Sequence, residues 1–279
     1  MPGRRGIAAA LLTLAALAGC TEVSTTPEVP LSLQFDSLPA LAVVVGDTMR
    51  GASLAPASVP IRAFDGNGGV VSDSLLRLIG IDSTSVRAFS VISGFRIVGL
   101  RENSAVRVVA QAGPLQSQTQ TFAVVPAPTG IVKSTTVNDS IVYDRPDTSL
   151  RFADIGVNVI RQVVPESTLV ALNGLRVRFT VDSFSRAILD SVRLVGTGTG
   201  RAATSAVVNA GAATLRLKAY PRGGVTGRGV VRLQVSHLTR GVPTAGSPFA
   251  LTVRLVPFTL ASGAVNRTPA PLALPRALP

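Results

Sequence analysis

Two rhythms of apolar residues divide the sequence. The first is continuous: Ile7 to Gly19 is apolar except for Thr13 and runs directly into Cys20. From Leu31 onward the rhythm becomes alternation with a period of two, as in strands with one face in a core. Leu31-Ser32-Leu33-Gln34-Phe35 and Val59–Asp65 alternate, and Ala40–Val45 is an apolar run stopped by Gly46-Asp47. Ser85–Val91, Phe95–Leu100, Ala105–Ala110 and Thr119–Val125 complete a first set of expected strands. A second set comprises Ser140–Tyr143, Ile155–Val163, Leu175–Val181, Ser191–Leu194, Ala212–Tyr220, Gly229–Ser236 and Phe249–Val256. Gly66-Asn67-Gly68-Gly69 and Gly196–Gly200 read as turns between strands. Short strands at intervals of roughly 8–12 residues predict an all-β sandwich or barrel. Pro126-Ala127-Pro128-Thr129-Gly130 separates the two sets, and 127–130 reads as a hinge. Residues 259–279 carry Pro269, Pro271, Pro275 and Pro279 without any period and are expected to be a disordered tail.

Composition agrees with that pattern. The 279 residues include 26 Gly, 19 Pro, two Tyr and no Trp, which suits short strands and many turns. A single cysteine rules out an intramolecular disulfide, so the core must hold the fold together. The net charge of +12 is carried almost wholly by arginine, Lys133 and Lys218 being the exceptions. Nucleic-acid binding would need those charges clustered on one stripe with aromatics to stack bases. Instead they are scattered one or two to a strand, as in Leu175-Arg176-Val177-Arg178-Phe179, which is the solvent face of a half-buried strand. Arg176, Arg178, Arg193, Arg216 and Arg232 are the candidates for contacts to an anionic ligand, should they share one sheet face.

The opening segment carries the sharpest chemistry. Arg4 and Arg5, the apolar run and the small residues before Cys20 have the layout of a secretory signal peptide. The apolar run falls well short of the roughly 20 residues a spanning helix needs. Leu17-Ala18-Gly19-Cys20 resembles the lipobox of bacterial lipoproteins. That resemblance implies cleavage after Gly19 and acylation of Cys20; the segment 20–30, with Pro27 and Pro30 and no hydrophobic period, reads as a lipidated tether. Cleavage removes Arg4 and Arg5 and lowers the charge by two, to +10. Two or more acyl chains anchor stably where one does not. Thr21 is not the aspartate that retains such proteins at the inner membrane, so the resemblance implies outer-membrane sorting in a two-membrane organism.

A second resemblance covers about residues 31–126. Gly46-Asp47-Thr48, then Ala63-Phe64-Asp65-Gly66-Asn67-Gly68, then Ser93–Leu100, then Ala105–Ala110, resemble in order and spacing a bacterial immunoglobulin-like domain of group 2. Arg101-Glu102-Asn103 departs from the small turn usual in that family. More faintly, Gly198–Ala202 and Ala212–Ala219 resemble the ending of group 1 or invasin-like domains, which implies a second sandwich over 131–258.

No constellation points to catalysis. Gly196-Thr197-Gly198-Thr199-Gly200 lacks the dinucleotide spacing and precedes β-like sequence. Asp65, Asn67 and Asp73 could outline a weak Ca²⁺ site, but Leu76 stands where a calcium loop needs its closing carboxylate, so a turn is expected. His237, beside Ser236, is the one imidazole; it has no partner at ligand spacing and is expected at a strand end facing solvent. No cofactor and no metal site are expected. The sequence therefore predicts a non-enzymatic envelope lipoprotein whose immunoglobulin-like modules act as spacers or adhesive units. Its partners would be the membrane, through the anchor, and envelope proteins or polysaccharide. The alternatives are a binder of acidic glycan or lipid headgroups and, last, a hydrolase.

Overall fold

The computed structural model describes residues 29–258, except Thr136 and 164–167. The described chain is an all-β sandwich protein. Its first strands are β1 (Ser32–Phe35), β2 (Ala42–Val44), β3 (Ile61–Phe64), β4 (Leu76–Gly80), β5 (Phe89–Ile92), β6 (Arg96–Gly99), β7 (Asn103–Ala112), β8 (Leu115–Gln116) and β9 (Gln120–Val125). One sheet runs in the order β2-β9-β7-β4, with β8 against β7; the pairs β1-β3 and β5-β6 form the other side. Alternation decides what lies between them: Val106, Val108, Ala110, Phe122 and Val124 point in from one layer, and Ile61, Ala63, Phe89 and Ile97 from the other. Phe89 meets Phe122 edge-on at 5.6 Å.

One expected strand is corrected. Residues 83–88 form a short helix, and only Phe89–Ile92 is strand. The cause is local: Asp82 Oδ1 accepts from the Ser85 N–H at 2.7 Å and from Thr84 Oγ1 at 2.6 Å, capping the first turn. These bonds hold the Asp82 carboxyl well below its ordinary range.

The remaining strands are β10 (Gly130–Lys133), β11 (Ser140–Val142), β12 (Phe152–Val163), β13 (Thr168–Ala171), β14 (Arg176–Phe184), β15 (Leu189–Val195), β16 (Ser205–Val207), β17 (Ala213–Pro221), β18 (Gly229–Ser236), β19 (Leu238–Thr239), β20 (Val242–Pro243) and β21 (Phe249–Val256). They build two facing sheets, β10-β12-β17-β15 with β13 beside β12, and β11-β21-β18-β14-β16. Their inward residues, among them Ile155, Val157, Leu215 and Leu217 against Phe179, Leu233, Val253 and Leu255, form a second core. Thr129 donates its N–H to Ile160 O and Gly130 pairs with Ile160, so the end of the expected hinge already belongs to a sheet.

Both assemblies close in the same manner. β2 lies parallel to β9 and β11 parallel to β21, while every other pairing between strands is antiparallel. The two also share material. Val43 faces the first core, whereas its neighbours Ala42 and Val44 face the second. Phe122 and Val124 of β9 face the first core, and Ala123 and Val125 pack against the second. Within the uninterrupted run Ala40–Val45 the strand Ala42–Val44 is thus buried on both faces, the second face covered by the following sandwich, while Leu41 beside it stays exposed.

Candidate functional site

The five arginines singled out in the sequence do not share a face. Arg176 and Arg178 on β14 and Arg232 on β18 belong to one sheet; Arg193 on β15 and Arg216 on β17 belong to the opposite one. Two of the five are already engaged. Arg216 forms a two-pronged pair with Asp154, its cross-strand partner, at 2.8 and 3.1 Å, and its guanidinium stacks 3.7 Å over the Phe152 ring. The hydrogen bond to Asp154 raises its pKa. Arg176 reaches out of the second sandwich to donate to Pro39 O at 2.8 Å and to Ser205 Oγ at 3.0 Å, and burial lowers its pKa. Arg178 and Arg193, although from different sheets, both line an open groove of about 420 Å³, together with Phe179, Val181, Val192 and Leu194.

His237 is corrected from solvent to interior. It does end a strand, but it is only 2% exposed. The β19–β20 hairpin folds over it, Nδ1 sits 2.7 Å from Thr244 Oγ1, and its own N–H donates to Ser247 Oγ. Burial first, and the nearby Arg50 charge second, push the imidazole down to about 4 against a smaller opposing pull from Asp47. Asp65 is a turn residue: its Oδ1 accepts from the N–H groups of Asn67 and Gly69 at 2.9 and 2.8 Å. Among the described residues no group of three or more His, Cys, Asp or Glu side chains is placed to hold a metal.

The most densely bonded polar cluster lies between the two sandwiches. The buried Asp47 carboxylate takes two hydrogen bonds from Arg50, one from the Thr48 N–H and one, at 2.6 Å, from the Arg240 N–H. Arg240 occupies the turn of the β19–β20 hairpin in the left-handed region, φ 51°, and its guanidinium donates to Val45 O at 3.0 Å. It packs on Gly46, φ 73°, where a Cβ would press against that guanidinium. Gly174 O accepts from the N–H groups of both Leu41 and Ala42, and Arg161 reaches Glu102 at 3.6 Å. The Gly-Asp-Thr turn was visible in the sequence; its partner across 193 residues was not.

Strand direction orders the ends. Arg161, Gly174, Arg176 and Arg240 meet the first sandwich, so the opposite pole of the second carries the connections at 143–151, 185–188 and 222–228. Five arginines collect there, Arg145, Arg151, Arg186, Arg222 and Arg228, which sequence spacing left apart. At the other extreme Leu31, paired with Phe64 and packed on Gly66, lies up the chain from Pro39 at the junction. Cys20 and residues 259–279 lie outside the described residues. No described helix is long and apolar enough to cross a membrane.

No family model matches the chain, and neither does any curated protein. Solved structures similar to it include domains 4–9 of the surface layer protein SbsC, at 13% identity over 83% of this chain with a TM-score of 0.30. The Yersinia pseudotuberculosis adhesin InvE is 13% identical over 80% with a TM-score of 0.32. The endo-fucoidan hydrolase MfFcnA9 of glycoside hydrolase family 107 is 11% identical over 81% with a TM-score of 0.33. The chain spans 32%, 58% and 34% of those structures, respectively.

Proposed function

We propose that the protein is a non-enzymatic lipoprotein of the cell envelope, anchored through acylated Cys20. In this reading 31–126 and 131–258 are two immunoglobulin-like sandwiches that serve as a stiff spacer with an adhesive far end. The supporting observation is the β2–β9 pair, whose alternate residues enter both cores. A connection made only of chain would bend freely; one that separates two cores can bend only by exposing apolar surface. With strands of ten and twelve residues laid end to end, such a spacer would reach roughly 70 Å at some 3.3 Å per residue. Leu31, the first strand residue after the proposed tether, and the far pole lie at opposite ends of the described chain, an arrangement that supports a spacer. The burial of His237 in a hydrogen-bonded packing role supports the non-enzymatic reading.

Metabolic labelling with a clickable palmitate tests the anchor. The wild type is expected to be labelled and to fractionate with membranes, and Cys20→Ala to do neither. Equal labelling of the two would overturn the anchor.

A further inference from the structure

We propose that the far pole of the second sandwich binds an acidic polysaccharide through Arg145, Arg151, Arg186 and Arg228. The partner's orientation rests on the anchor at Cys20; the surface itself does not. Hydrogen bonds tie the contributing loops into one structure. Arg151 Nε donates to Arg145 O at 2.7 Å, the Ala219 N–H to Arg151 O, and the Arg222 N–H to Ile188 O. Tyr143 Oη donates to Gly227 O and accepts from the Gly227 N–H, which fixes the loop that carries Arg228. Ser185 N–H donates to Val230 O, which brings Arg186 beside it.

The carboxylates of this pole are already committed. Asp144 accepts from the Phe258 N–H, and Asp190 pairs with Arg222 at 3.1 Å. Asp147 caps Ser149 through its N–H and hydroxyl; those bonds first, and the more distant charges of Arg145 and Arg151 after them, lower its pKa. None of the other four arginines is in an ion pair among the described residues. The Nε of Arg145 is buried without a hydrogen-bond partner. Guanidiniums pair bidentately with carboxylates and sulfates, so several on separate loops match a chain of repeating anionic groups better than one compact ion. Tyr220, 42% exposed beside them, offers the flat amphipathic face on which a sugar ring can lie.

Anchored at the opposite end, the pole points away from its own membrane, which favours a glycan over lipid headgroups. Leu150, exposed on the same loops, is the residue a bilayer would take up, so vesicles form the opposing arm of the test.

The experiment passes the full chain, in non-ionic detergent, over immobilised alginate in a sodium chloride gradient from about 0.05 to 0.3 M, a range over which multi-site charge pairing weakens steeply. Wild type should be retained and elute with rising salt. Arg186→Ser/Arg228→Ser, at exposed positions without hydrogen bonds, should lose about tenfold in affinity. Arg178→Ser/Arg232→Ser on the strand faces should elute with wild type. Unchanged retention of the loop variant, loss in the strand-face variant instead, or binding to anionic phospholipid vesicles but not to alginate would each overturn the proposal. Retention does not depend on Cys20: failed labelling with intact retention removes only the orientation, and the reverse removes only the surface.

Discussion

Just past the end of β18 the imidazole of His237 is buried against Thr244, within the electrostatic reach of Arg50 and Asp47. In the unfolded chain it gains a proton near its ordinary value of 6.5; in the folded chain it stays neutral until about 4. Between those values the unfolded state binds the extra proton, so stability falls as pH falls through the window and levels off below it. The full effect is roughly 3 kcal/mol at 1.36 kcal/mol per unit of pKa. Urea midpoints at pH 7 and pH 4 should therefore separate more for the wild type than for His237→Asn, which keeps a polar atom toward Thr244. Parallel loss in both proteins would refute this account. The sequence placed His237 at a strand end; its burial depends on a hairpin that folds back over it.

At the scale of elements, β2 is the informative strand. Its six-residue apolar neighbourhood was legible as strand, but a run without alternation says only that both faces are covered, not by what. The coverage comes from Gly174, whose carbonyl holds Leu41 and Ala42 and whose φ is 83°. A Cβ there would stand 2.7 Å from both Ala42 Cβ and Leu41 C. Gly174→Ala is expected to cost on the order of 2–3 kcal/mol from left-handed strain and displacement of β2. Chemical denaturation measures it, and an unchanged midpoint would mean that the junction does not hold the strand. The helix at 83–88 was missed for the converse reason. Ser85–Val91 has the composition of a strand, and the cap from Asp82 overrides it.

For the whole molecule the question is whether the two sandwiches move as one. Asp47 is 7% exposed and binds Arg50 and the Arg240 N–H at once. Removing one partner of a buried pair strands the other, at a cost of about 3–5 kcal/mol. Asp47→Ala should lower the denaturation midpoint accordingly and broaden the distance distribution in small-angle scattering while the β signature in circular dichroism stays. A scattering profile identical to the wild type's would show that the shared strand pair alone fixes the joint. The arginines teach the same lesson at this scale. Alternation put Arg176 and Arg216 on outward positions, yet Pro39 and Asp154 occupy them, and five other arginines meet at a pole built from loops far apart in sequence.

Period-two alternation and turn residues were enough to determine an all-β chain and most of its strands, because side-chain direction along a strand depends only on its own backbone. The signal-like start and Cys20 were equally local. What lies beyond a strand's outer face was not: the double burial of β2, the interior place of His237, the clamp from Asp47 to Arg240 and the gathering of arginines at one pole all join residues whose separation the chain pattern does not encode. Those were decided by how the two sandwiches pack, where burial and hydrogen bonding act between segments that no local rhythm relates.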